Sequence, residues 1–377
     1  MSFRYASGIR KPGFNSLAAP TVTSVEYNLL AMGQNNYGLL GDGTTVSKSS
    51  PVQIGTLSTW SSIARSTFTS VVAVQTDGTL WTWGNGVAGR LGLGNTTYYS
   101  SPKQVGSLTN WLLAAGSYDT GYAIKTNGTL WSWGGNSVGQ LGLGNRTSYS
   151  SPKQVGALTN WADIVGGNAF AFALKTDGTI WTWGYNAAGQ LGLGNLTYYS
   201  SPKQVGSLTT WAYIGNGAQH ALAVKTDGTL WSWGWNAYGQ LGLGNITGYS
   251  SPKQIGVLTN WLKLSASAYG RSSFSIKTNG TLWAWGFNSQ GQLGQGDSTY
   301  RSSPVQVGSL TTWSKVNTGT QHVLAITTGG ALWVWGYNNH GQLGDGTGVN
   351  KSSPVQIGTT TTWVNMWGVN ATSIGIG

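Results

Sequence analysis

Apolar and polar positions along the chain alternate in short bursts that recur about every 50 residues. One copy reads Trp211-Ala212-Tyr213-Ile214, then Ala221-Leu222-Ala223-Val224, then Thr229-Leu230-Trp231-Ser232-Trp233. Alternation of period two, rich in aromatic and β-branched residues, predicts strands. Between the second and third bursts stands Thr226-Asp227-Gly228, a two-residue hairpin signal. Beyond a glycine-rich loop, Ser251-Pro252-Lys253-Gln254-Ile255 predicts a fourth strand, where proline suits an edge position. Four short antiparallel strands per unit make a propeller blade.

The unit is written seven times. Its cores end at Gly33, Gly84, Gly134, Gly184, Gly234, Gly286 and Gly336, and six read Leu/Ile-Trp-x-Trp-Gly. The first, Leu29-Leu30-Ala31-Met32-Gly33, is degenerate. A lone tryptophan follows each core glycine by 27 residues: Trp60, Trp111, Trp161, Trp211, Trp261, Trp313 and Trp363. The last unit stops after its second strand, at Ile374-Gly375-Ile376-Gly377, and the first begins with its third, near Val25 to Met32. The two ends therefore predict one shared blade, which closes the ring and leaves no open sheet edge. The expected fold is all-β, a seven-bladed β-propeller over residues 23–377. Residues 1–22 form a separate basic arm carrying Arg4, Arg10 and Lys11.

Composition narrows the chemistry. Charged residues make up 8% of the chain, against roughly 25% in ordinary domains. Cysteine is absent, which removes disulfides and thiolate metal sites. No apolar run approaches the ~20 residues that span a membrane, so membrane insertion is not expected. Met1-Ser2-Phe3-Arg4-Tyr5 lacks the apolar centre of a signal peptide, which predicts synthesis in a cytoplasm without Sec export. The net charge of +11 serves solubility or an anionic partner.

The run Trp-x-Trp-Gly-x-Asn-x-x-Gly-Gln-Leu-Gly, with Asp-Gly before it and Ser-Pro-x-Gln-Val after it, resembles the repeats of the RCC1 family of seven-bladed propellers. The resemblance covers about residues 24–377, and His220 and His322 match the histidine that opens the second strand of such repeats. It implies the fold; functions in the family range over exchange factors, photoreceptors and scaffolds. No tryptophan here precedes an arginine, as the photoreceptor motif requires. The largest insertion is two residues, around Ser265 to Ser272, which leaves no room for the wedge of Ran exchange factors.

Catalytic candidates are few. Asp77, Asp177 and Asp227 occupy hairpin turns where Asn127 and Asn279 replace them, which fits turn chemistry and not proton transfer. Asp42, Asp297 and Asp345 sit in the glycine loops, and His220, His322 and His340 lack the spacing of a metal site. The expectation is no enzyme, no metal and no cofactor.

Binding is the better reading. The connections after the first and third strands share one face and hold most differences between copies, notably Phe68, Tyr118, Phe170, Tyr269 and Arg271 in the first, and Tyr185, Trp235, Tyr238, Phe287, Tyr337 and His340 in the third. Lys125, Lys175, Lys225 and Lys277, with Lys103, Lys153, Lys203 and Lys253, repeat with the scaffold and predict a positive opposite face and rim. The leader from Met1 to Asn15 resembles those of phage structural proteins. The first expectation is therefore a virion-surface propeller. Its arm would anchor to other virion proteins, and its variable face would meet host glycan or a neighbouring protein. The alternative is a cytoplasmic RCC1-type scaffold for a cellular protein or nucleic acid, with nucleic acid ranked lower because arginine is scarce on the loop face.

Overall fold

The computed structural model describes residues 28–55, 59–63, 69–266 and 270–376. Seven four-stranded antiparallel sheets follow one another around a ring. The fourth blade is representative: Trp211–Asn216, His220–Lys225, Leu230–Gly234 and Tyr249–Gln254, in that order from the axis outward. The first two strands run two residues and one residue longer at their loop ends than their apolar alternation suggests. The polar Asn216 and the ring of His220 are buried there as well. First strands of successive blades touch one another and surround the axis.

Six blades begin at Trp60, Trp111, Trp161, Trp211, Trp261 and Trp313. The seventh, here the closing blade, joins Asn365–Val369 and Thr372–Ile376 to Leu29–Gly33 and Lys48–Gln53. Leu29 pairs with Ile376 and Gly33 with Thr372. The ends of the chain thus share a sheet, as the truncated first and last units imply.

The core lies between blades. Trp233 is buried among Val165, Phe172, Leu191 and Val205 of the third blade, and its indole N–H donates to Gln190 O at 3.1 Å. Trp183, Trp285 and Trp335 do the same to Gln140, Gln240 and Gln292. Each glycine loop also lies down on the following blade, with Gly244 N donating to Ser302 O at 2.8 Å. Close approach explains the glycines: a Cβ on Gly242, whose φ is +70°, would sit 2.8 Å from the Trp285 indole nitrogen.

Lys125, Lys175, Lys225 and Lys277 do not charge the outer face as expected. Each ammonium lies over the first tryptophan of its blade's Trp-x-Trp pair, 3.6 to 3.9 Å from the ring centroid, with the lone tryptophan beside it. Lys125, Lys175 and Lys277 are buried. Their charge is held by aromatic rings between strands, and burial pushes these three ammonium groups below the usual lysine range.

Candidate functional site

The glycine loop shows which of its residues are free to differ. Asn236 is buried, and its amide donates to Asn245 O and Thr247 O at 3.1 and 2.8 Å. Its side-chain oxygen accepts from Leu241 N at 2.9 Å. Gln240 Oε1 accepts from Tyr238 N at 2.9 Å. These two side chains hold the loop rigid and leave Trp235 and Tyr238 half-buried at the surface.

At the seam between the fourth and fifth blades these residues meet Arg271. Its guanidinium carbon lies 5.0 Å from the Trp235 ring, 5.0 Å from Tyr238 and 5.9 Å from Phe287. Its Nη1 donates to the Tyr238 hydroxyl at 3.0 Å. Tyr238 in turn contacts Trp235, Phe287 and Tyr300 edge-on, with centroids 5.3, 4.9 and 5.4 Å apart. The backbone is braced beneath, with Phe287 N donating to Arg271 O and Ala218 N to Gly270 O. Arg271 comes from a first-strand connection, while Trp235, Tyr238, Phe287 and Tyr300 come from third-strand connections of two blades. The arrangement is an exposed arginine on a preorganised aromatic floor, suited to stacking and hydrogen bonding with a partner.

The other expected residues are dispersed. Tyr185 pairs with Tyr198 in the third blade, centroids 4.9 Å apart, and Tyr337 with His340 in the sixth at 6.1 Å. Tyr118 is 44% exposed and lies under the Arg90 guanidinium at 5.7 Å. Phe68, Tyr269, Arg4, Arg10 and Lys11 lie outside the described residues.

Phe170 is a correction. It opens the second strand of its blade, is fully buried, and packs in the core with Val165, Phe172 and Trp211. It therefore contributes nothing to a contact face. It stands 14 residues before its core glycine, as His220 and His322 do, and all three point inward. That spacing was available in the sequence.

Two features escaped the sequence reading. Tyr300 completes the cluster from the position just before the outer strand, which Tyr98 and Tyr198 occupy in other copies. On the axis, Lys263 and Lys315 stand two residues after their lone tryptophans. Lys263 Nζ donates to Ser314 O at 2.6 Å, and Lys315 Nζ donates to Val364 O, each reaching the next blade's inner strand. Burial lowers both ammonium groups from the usual lysine range, and Lys263 adds repulsion at Lys315.

Among the described residues, no group of three or more His, Asp or Glu could hold a metal ion. No helix among them is long and apolar enough to cross a membrane.

No curated protein matches the chain at a significant level. Solved structures share its fold. Human WBSCR16 is 21% identical with a TM-score of 0.84, over 93% of this chain and 98% of that one. Prp20p from Saccharomyces cerevisiae, in a study of its binding to Gsp1p and histones, is 19% identical with a TM-score of 0.81, over 94% and 92%. Yeast RCC1 (Prp20) bound to Kap60 is 18% identical with a TM-score of 0.83, over 98% and 95%. The Regulator of chromosome condensation (RCC1) repeat matches residues 28–73, 77–124, 127–174, 177–224, 227–272, 279–326 and 329–366, and the chain belongs to that family.

Proposed function

We propose that the protein is a non-enzymatic interaction propeller that docks a partner protein on its loop face, centred on the seam between the fourth and fifth blades. The observation that carries this reading is Arg271 stacked among Trp235, Tyr238 and Phe287, on a floor completed by Tyr300. Tryptophan, tyrosine and arginine are the residues that dominate binding energy in protein interfaces. A glycan would also stack on such rings. The central guanidinium, with planar donors aimed outward, favours carboxylates and backbone carbonyls of a polypeptide. The structural relative Prp20p binds Gsp1p and histones, which supports protein binding as the class.

The virion reading rests on residues 1–22 alone, outside both the described residues and the matched repeats. It ranks second, as does a host glycan.

The test places a photo-crosslinking residue at Ser289, which is exposed on the fifth blade's loop beside the cluster, and a second at the exposed hairpin residue Thr176. A protein adduct specific to Ser289, lost in Trp235→Ala with Arg271→Ala, supports the reading. Equal adducts from both sites, or none lost in the variant, overturn it. Binding to a glycan array that the same variant abolishes moves the assignment to the second reading.

A further inference from the structure

The outer strands divide the rim into two unlike arcs. In the fifth and sixth blades the glycine loop carries Asp297 or Asp345, and the outer strand opens with Arg301 or Lys351. These residues pair at 2.6 and 3.3 Å, so the charge is neutralised in place. In blades one to four the same loop position is Asn95, Asn145, Asn195 or Asn245, and the strand opens with Tyr99, Tyr149, Tyr199 or Tyr249. The positive charge moves to the fifth strand residue, Lys103, Lys153, Lys203 or Lys253, where the other three blades have Val305, Val355 and Val52. All four lysines are exposed, and each ammonium lies 5.4 to 5.6 Å from the tyrosine ring of its own strand. Among the described residues none of the four forms an ion pair. The nearest acids by position, Asp77, Asp177 and Asp227, accept hydrogen bonds from Thr79, Thr179 and Thr229 in the hairpins.

We infer that this arc of four consecutive blades binds single-stranded nucleic acid, its phosphodiester chain tracking the rim from lysine to lysine. The charges repeat at the spacing of the blades, which suits a polyanion with one charge per repeat. An acidic protein patch presents no such ladder. The arc covers four of the seven blades, so its occupant must bend around a body with a radius of gyration of roughly 21 Å. Duplex DNA, stiff over about 50 nm, touches such a rim at a tangent and reaches one or two lysines, whereas a single strand follows it. Tyrosines beside each lysine add ring surface of the kind single-strand binding grooves use.

The test is fluorescence anisotropy with labelled oligo(dT) of about 20 nucleotides across a salt series. Four contacts predict a log–log salt slope near −3, which is about a 50-fold loss of affinity between roughly 50 and 200 mM salt. Lys→Gln at Lys103, Lys153, Lys203 and Lys253 together flattens that slope, and each single change reduces it by about 0.7. Arg301→Gln with Lys351→Gln leaves it unchanged, and a duplex of the same length gives a shallower slope. The inference is overturned by absence of binding at low salt, by an unaltered slope in the quadruple variant, or by equal loss in the Arg301/Lys351 pair. It is overturned as well if polyglutamate competes as strongly as the oligonucleotide. Thermal melting of each variant confirms that the propeller is intact, and the single variants carry the test should the quadruple one unfold.

Discussion

His322 Nε2 lies 2.9 Å from the Ser373 hydroxyl, and that hydroxyl donates at 2.7 Å to Gln342 O. The contact joins the sixth blade to the strand that closes the ring. His220 and Ser273 repeat it between the fourth and fifth blades, with Gln240 O as the acceptor. Since each serine proton goes to a carbonyl, the hydroxyl oxygen accepts from the imidazole, which places the histidine proton on Nε2.

Both imidazoles are fully enclosed, and burial pushes each down to about 3 from an ordinary 6.5. The folded state therefore holds neutral histidine where the unfolded chain takes up a proton. Stability is complete above about pH 6.5 and falls as the pH drops toward 3, by on the order of 1 kcal/mol per pH unit for each histidine. Denaturant melts between pH 7 and 4 check this. His220→Gln with His322→Gln should flatten the profile, and an unchanged acid slope would remove the histidines from the account.

Phe170 and Tyr118 should separate cleanly. Phe170→Ala opens a cavity between the third and fourth blades and costs about 3–5 kcal/mol. Tyr118→Ala removes a surface ring under Arg90 and costs about 1 kcal/mol or less. Chemical denaturation of the two variants side by side measures the difference.

The glycine loop should tolerate change at Trp235 and not at its polar anchor. Asn236→Ala strips partners from Leu241 N, Asn245 O and Thr247 O, and a loss of about 2–4 kcal/mol is expected from orphaned backbone groups. Gly242→Ala forces a positive φ on alanine and drives Cβ into Trp285, costing at least about 1–3 kcal/mol from the backbone alone. Trp235→Ala should change the melting midpoint far less than either.

Lys175 tests the caged ammonium groups. Its Nζ sits 3.7 Å from the Trp181 centroid and 4.8 Å from Trp161. Lys175→Met keeps the volume, loses the cation–π attraction and relieves the desolvated charge. Stability within about 1 kcal/mol of the parent is expected. Lys175→Glu should be strongly destabilising in the same assay, because a carboxylate meets the negative faces of both rings.

The architecture was legible because each blade must bury the same face against its neighbour. That requirement writes Trp-x-Trp-Gly and the lone tryptophan into every copy at constant spacing. The closing blade was legible from the two incomplete end units. Sequence alone could not decide the fate of side chains at the connections, because one residue's shift along a strand turns a loop contact into a core residue. Phe170 went inward for that reason, and four repeated lysines that read as surface charge are held among indole rings. Nor does linear order show that Arg271 crosses a blade seam to meet Trp235 and Tyr238, 36 and 33 positions before it. Local pattern determined the blades; the packing of one blade on the next decided which of their aromatic and basic residues face a partner.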